Sequence, residues 1–205
     1  MTIDPEHTPS GRIILLRHGE TEWSANGRHT GRTDIELTDD GRATARRVPA
    51  SLALVRHDAP PARVLCSPRT RARDTAAIAG LAVDAYDERL GEWDYGEQEG
   101  LTTPEIRERL PGWTIWTGPW PGGETPDEVS ARADAVLTEV RADLERGDVI
   151  LVGHGHFSRV LTVRWIGLAA TAGVHVRLDP AGVTVLGFER GVPRLDHVNQ
   201  RPTRD

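Results

Sequence analysis

Two histidines stand directly behind apolar runs: His18 in Leu15-Leu16-Arg17-His18-Gly19-Glu20-Thr21 and His154 in Leu151-Val152-Gly153-His154-Gly155. Residues 13–16 and 149–152 are apolar without alternation, the pattern of parallel strands covered on both faces. Each histidine is therefore expected at the carboxyl end of a strand. In open α/β sheets that edge is where ligands bind.

The chemistry these residues suit is attack on a phosphate ester. A phosphomonoester carries up to two negative charges, and arginine forks neutralise its oxygens bidentately. Arg17 and Arg71 are candidates for that work. Ser67 reads as an N-cap and Pro68 as a first helical residue after the strand 64–66, which puts Arg71 in the opening turn of a helix facing the same sheet edge. Imidazole attacks phosphorus near neutral pH because much of it is unprotonated there, and a carboxyl group is the natural proton donor to the leaving alkoxide.

Further strings extend the pattern along nearly the whole chain. Behind Arg17-His18-Gly19-Glu20-Thr21 come Trp23, Asn26, Arg28, Thr30-Gly31, Asp34 and Leu37-Thr38. Then follow Ser67-Pro68-Arg69-Thr70-Arg71-Ala72-Arg73-Asp74-Thr75-Ala76, Leu90-Gly91-Glu92-Trp93-Asp94-Tyr95-Gly96 with Glu99-Gly100, and His154-Gly155. In this order they resemble the histidine phosphatase superfamily, the phosphoglycerate mutase-like group, and within it the bacterial acid phosphatase and sugar-bisphosphatase-like members. The resemblance implies that His18 is the nucleophile that becomes a phosphohistidine and that Glu92 is the general acid. It implies that Arg17, Arg71 and His154 bind the phosphoryl group, and that Ser24, Thr30, Gly31 and Gly155 line the substrate side, to which Trp93 is added because it directly follows Glu92. Ser24 departs from the asparagine of many members, and its hydroxyl is expected to donate one hydrogen bond to a phosphoryl oxygen. No metal or other cofactor is expected.

The elements that must hold these groups alternate strand and helix. Helices are predicted over 38–55, 68–79 and 126–146. The last has a Thr125/Glu128 capping box, an apolar face of Val129, Ala133, Val136, Leu137, Val140 and Leu144, and Gly147 as its stop. A short strand is expected at 82–86, and 183–188 and 194–198 form a hairpin turning at Glu189-Arg190-Gly191. The expected fold class is α/β, a three-layer αβα sandwich with a mostly parallel sheet and an antiparallel C-terminal hairpin. One domain over 1–205 is expected, with an ordered core of about 12–198 and loose ends at 1–10 and 200–205. The irregular stretch 92–124 is read as the cover of the pocket. It contains Trp93, Trp113, Trp116 and Trp120, four of the six tryptophans. Trp93 is expected to shape the pocket, whereas Trp116 and Trp120 are read as packing.

A net charge of −6 argues against nucleic acid or an anionic membrane surface as a partner. All 25 basic residues are arginine, so a single surface arginine carries little information. No apolar stretch reaches membrane-spanning length, residues 1–11 do not read as a signal peptide, and the single cysteine, Cys66, permits no internal disulfide. The expectation is a cytoplasmic monomer or homodimer acting on a small phosphorylated metabolite. Three other functions compete. A phosphoglycerate mutase or sugar bisphosphatase would need to hold a second charged group, yet Asp94, Glu97 and Glu99 follow Glu92 and are expected to repel it, favouring monophosphates. A metal-dependent hydrolase is suggested by His154-Gly155-His156. A non-catalytic phosphate-binding protein would have lost the histidine or the acid, and both are present.

Overall fold

The computed structural model describes residues 8–56 and 59–202. Six strands form one sheet in the order β3-β2-β4-β1-β5-β6: β1 is Ile13–Arg17, β2 Arg63–Cys66, β3 Ala85–Tyr86, β4 Val149–Gly153, β5 Val183–Glu189 and β6 Val192–Gln200. The pairings β3·β2, β2·β4 and β4·β1 are parallel, and β1·β5 and β5·β6 are antiparallel. The sheet is thus mostly parallel with an antiparallel C-terminal hairpin, as expected. The apolar runs lack alternation because both faces are covered. Ile13, Leu15, Val149 and Leu151 enter one core cluster, and Ile14, Leu16, Ile150 and Val152 enter the other. A fully buried aliphatic side chain contributes about 1.5–3 kcal/mol, so these two central strands anchor the sheet.

The helices are α1 (Glu22–Asn26), α2 (Asp39–Ala45), α3 (Val48–Val55), α4 (Thr70–Ile78), α5 (Thr103–Arg109), α6 (Pro126–Val140) and α7 (Gly155–Trp165). The expected 38–55 helix is broken between α2 and α3. Pro49 is the reason, because it has no N–H to donate and its ring would collide with the carbonyl four residues back, that of Ala45. Thr38 does cap α2, accepting from the Gly41 N–H. The 68–79 helix starts later than expected: its N-cap is Arg69, and Ser67 is drawn into the site described below. Asp34 provides the missing cap from another loop, its carboxylate accepting from the Thr70 N–H (2.9 Å) and hydroxyl (2.8 Å).

In α6 the Thr125/Glu128 capping box forms, and Val129, Ala133, Val136, Leu137 and Val140 are buried. The α-helix ends at Val140, and a 3₁₀ segment, Arg141–Glu145, replaces its predicted last turn. Of the strand expected at 82–86 Ala85 and Tyr86 pair with Leu65 and Cys66 of β2, and the Asp84 N–H donates to the Val64 carbonyl just before them (2.9 Å). The hairpin closes through Arg190 and Gly191, both at positive φ (50° and 73°), as a two-residue type I′ turn requires. That conformation leaves Glu189 inside β5, paired with Val192. Residues 1–7 and 203–205 of the expected loose ends lie outside the described residues. Within them, Gln200 pairs with Val183, and Thr8 accepts from the Gly191 N–H, so these parts of the ends are anchored. Among the described residues no helix is long and apolar enough to cross a membrane.

Candidate active site

β1 and β4 lie side by side with Arg17 opposite Gly153, so their carboxyl ends deliver His18 and His154 to one edge. The two imidazoles meet edge to face, ring centres 5.2 Å apart. His18 is buried, and its Nδ1 lies 2.6 Å from the Gly19 carbonyl oxygen. A carbonyl can only accept, so Nδ1 carries the proton and Nε2 keeps its lone pair. Burial, then the charges of Arg71 and Arg17, holds this imidazole well below its usual pKa, in the neutral form.

Beside it a cavity of about 170 Å³ is bordered by Arg17, His18, Glu92, Tyr95, Gly155 and His156, among others. Arg17 donates from Nη1 to the Leu178 carbonyl (2.6 Å), and its Nε–H is buried with no hydrogen-bond partner. A buried guanidinium N–H without an acceptor costs free energy unless an anion arrives to accept it. Gly155 makes room for this side chain: a Cβ there would sit 3.2 Å from both Nε and Cζ of Arg17.

Arg71 and His154 form a second layer behind His18. Arg71 is fully buried, and its Nε donates to Nδ1 of His154 (3.2 Å). Its Nη1 donates to the Thr33 carbonyl (2.9 Å) and its Nη2 to those of Thr30 (3.2 Å) and Gly31 (3.0 Å). A guanidinium has five N–H groups, so only one of Nη1 remains. The expected bidentate grip of Arg71 on a phosphoryl group is therefore not available in this arrangement. His154 is engaged as well. With Nδ1 accepting from Arg71, its Nε2–H donates to Ser67 Oγ (2.8 Å), which also accepts from the Arg69 N–H (3.4 Å) ahead of α4. Burial, followed by Arg71 and His18, keeps this ring neutral too.

Glu92 borders the cavity from the opposite side. Its Oε1 accepts from the N–H groups of Trp93 (2.9 Å) and Phe157 (2.8 Å), and its Oε2 from that of His156 (3.0 Å). The carboxylate thus closes the N-terminus of α7, where the helix dipole favours negative charge. Its acidic neighbours are turned elsewhere. Asp94 pairs with Arg32 at 2.6 Å, and Glu99 accepts from the N–H groups of Gly31 (3.1 Å), Arg32 (3.1 Å) and Thr33 (2.7 Å). None of Asp94, Glu97 and Glu99 borders the cavity itself.

The other predicted positions divide. Ser24 and Thr30 border the cavity. The Ser24 hydroxyl, however, donates to the Thr21 carbonyl (3.0 Å) while accepting from the Thr21 N–H, so it is committed to capping α1 and not free for a phosphoryl oxygen. Gly31 supports Arg71 through its carbonyl, and a Cβ there would lie 2.7 Å from Glu99 Oε2. Trp93 does not reach the cavity: it is fully buried in the core, donating Nε1–H to the Glu124 carbonyl (2.8 Å). The aromatic wall is one layer out, where Trp113 packs edge-on against His29 and Trp116 against His156. His156 shares its Nδ1 with the Tyr95 hydroxyl (2.6 Å), whereas His154 faces Ser67 and Arg71, so the two histidines diverge and do not form a ligand pair. Among the described residues no group of three or more His, Cys, Asp or Glu side chains could hold a metal ion.

Sequence reasoning missed Arg28, His29, Tyr95, Arg159 and Leu178 as cavity residues. Tyr95 follows Glu92 closely, and Arg159 lies one helical turn beyond Gly155. Both offered a positional signal, which for Arg159 was submerged in a chain of 25 arginines and no lysine.

Residues 13–201 match the histidine phosphatase superfamily (branch 1). An acid phosphatase of Mycobacterium tuberculosis is 46% identical over 184 residues, which is 90% of this chain and 90% of the relative. A sedoheptulose 1,7-bisphosphatase of Saccharomyces cerevisiae is 31% identical over 80% of this chain and 70% of its own length. A solved structure from Mycobacterium tuberculosis superposes with a TM-score of 0.89 at 44% identity, covering 94% of this chain and 99% of that one.

Proposed function

Because the chain belongs to the histidine phosphatase superfamily (branch 1), we propose that it hydrolyses small phosphorylated metabolites through a phosphohistidine on His18. It is an enzyme of the acid phosphatase type. The assignment to His18 rests on one observation: an imidazole with a free Nε2 borders the same cavity as Arg17, whose buried Nε–H has no hydrogen-bond partner.

In the proposed cycle the phosphoryl oxygens are held by Arg17, with the last free N–H of Arg71 and the positive charge behind His154 opposing the developing negative charge. His18 Nε2 attacks phosphorus in line. The ester P–O bond breaks as Glu92 gives its proton to the leaving oxygen. Water then attacks the phosphohistidine while Glu92 takes a proton from it, the N–P bond breaks, and inorganic phosphate departs with Glu92 protonated again. The three amide donors leave a lone-pair site on Glu92 Oε2 for that traffic. A mutase would instead return the phosphoryl group to an organic hydroxyl. Release of inorganic phosphate and interconversion of 2- and 3-phosphoglycerate should be measured in one preparation, with and without 2,3-bisphosphoglycerate. Phosphate release is expected to dominate, and interconversion outpacing it would replace the hydrolase reading.

Glu99 is a positioning residue in this scheme, because it orients the 31–33 loop whose carbonyls hold Arg71. Glu99→Ala should lower kcat/KM and vanadate affinity about 10- to 100-fold by letting that guanidinium drift. Glu99→Gln keeps one acceptor oxygen and should lose less. Of the three amides that Glu99 accepts from, those of Arg32 and Thr33 belong to exposed residues and only that of Gly31 to a buried one, so melting temperature should fall only a little. Equal losses in the two variants, or a large drop in stability, would count against this role.

The proposal extends to a single domain working in the cytoplasm as a monomer or homodimer, without nucleic-acid or membrane partners. Its support is the net charge of −6 and the single cysteine, Cys66, whose buried thiol is pushed up to about 12.

A further inference from the structure

We infer that Arg132 is the positioning residue of the general acid: with Glu124 it clamps the chain on both sides of Glu92 and so governs proton transfer to the leaving group without touching it. This inference rests on the phosphatase reading, in which Glu92 is that acid.

The first observation is where this guanidinium, carried on α6, places its donors. Its Nη1 donates to the carbonyls of Arg89 (2.8 Å) and Gly91 (2.9 Å), and its Nη2 to that of Glu92 (3.3 Å). The remaining N–H groups grip Glu124, Nε on Oε1 (2.8 Å) and Nη2 on Oε2 (2.6 Å). All five donors of the fork are engaged, and three of them go to the short segment that ends in Glu92. A lysine, with three donors on a flexible stem, could not make this set.

The second observation is that the partners of Arg132 hold Glu92 in their turn. The guanidinium lies over the Phe157 ring at 4.0 Å, and the Phe157 N–H is one of the three donors to the Glu92 carboxylate. Glu124 secures the chain just beyond the acid. Its Oε2 accepts from the Asp94 N–H (3.0 Å), its own N–H donates to the Asp94 carbonyl (3.0 Å), and its carbonyl accepts from the Trp93 indole (2.8 Å). The Trp93 N–H is a second donor to Glu92. One ion pair therefore restrains both the main chain of the acid and the amides that hold its carboxylate.

The third observation is what the pair does not touch. Neither Arg132 nor Glu124 borders the 170 Å³ cavity beside His18, and both border a separate one of about 190 Å³. Any effect on the reaction must pass through Glu92. A general acid works within about 2.6–3.2 Å of the oxygen it protonates, and a displacement of about 1 Å costs on the order of 10²-fold. Between Glu92 and α6 the chain forms one 3₁₀ turn and the seven-residue α5, so side-chain donors take the place of a backbone ladder in fixing the acid.

The test is a double-mutant cycle read on two substrates: glycerol 3-phosphate, whose alkoxide needs a proton to leave, and p-nitrophenyl phosphate, whose phenolate does not. Arg132→Lys should lower kcat/KM about 10- to 100-fold for the first and less than about threefold for the second. Combined with Glu92→Gln it should add almost nothing to the loss that Glu92→Gln causes alone, because the group it positions no longer carries the proton. Glu124→Gln keeps one acceptor oxygen and should show the same selectivity with a smaller loss, and it carries the same cycle if Arg132→Lys does not fold. An unchanged kcat/KM for glycerol 3-phosphate, equal losses for the two substrates, or losses that multiply with that of Glu92→Gln overturn the positioning role and leave Glu92 as the acid. A Glu92→Gln enzyme that itself loses equally on both substrates overturns the acid, and this inference with it.

Discussion

His18→Ala is expected to lose turnover by about 10⁴-fold or more, the scale seen when a covalent nucleophile is removed. No neighbouring group can take over. The Nδ1 of His154 accepts from Arg71 and its Nε2–H is given to Ser67, so the second imidazole has no free lone pair to offer phosphorus. Native enzyme quenched during turnover of labelled substrate should carry acid-labile, alkali-stable phosphate, and the variant should carry none. The pH profile sharpens the test. Burial, with Arg71 and Arg17, disfavours the imidazolium of His18, so the nucleophile stays unprotonated as pH falls below the ordinary histidine value near 6.5. The acid limb of kcat/KM, which reports the free enzyme, should therefore lie below that value. Activity surviving in His18→Ala, or a native acid limb at the unperturbed histidine position, would remove the covalent mechanism.

Glu92→Gln should cost about 10²–10⁴-fold for alkyl phosphates, the usual contribution of a positioned general acid. The loss should shrink markedly for p-nitrophenyl phosphate, whose leaving oxygen departs without help. Glutamine retains one acceptor oxygen but puts an NH₂ where Glu92 Oε2 accepts the His156 N–H or where Oε1 accepts those of Trp93 and Phe157. Some of the effect is thus structural, and the dependence on leaving group separates the two parts. A purely structural role predicts the same loss for both substrate types. Stopped-flow release of p-nitrophenol adds a further check: if Glu92 also activates water, a burst should precede a slow steady state in the variant.

Much of this molecule can be read from local sequence. The strand runs at 13–16 and 149–152, the Thr125/Glu128 box and the hairpin follow from short-range patterns, because which faces are buried and which donors need caps depends on nearby residue types. Pro49 was also local information, and it breaks the helix predicted over 38–55 for a reason visible in the chain itself. The chemistry was equally accessible. A histidine at a strand end with an arginine before it, and an arginine in the first turn of α4, define phosphate handling by residue type alone.

What the sequence could not determine is how the buried donors are distributed. Arg17 and Arg71 look alike as letters, yet one borders the cavity with an N–H left unpartnered while the other gives four of its five to His154 and three carbonyls. From sequence Ser24 reads as a substrate contact and Ser67 as a helix cap. The fold spends the first on capping α1 and the second on His154. Glu99, 66 to 68 residues from the amides it holds, and Arg159, fixed by Gly173 and Val174, owe their positions to chain crossings that no local pattern encodes. The reason is physical: every buried polar group must find a partner, and which partner it finds is settled by the packing of distant segments against one another. Sequence determined which groups could do the chemistry, and tertiary structure decided which of them remain free to do it.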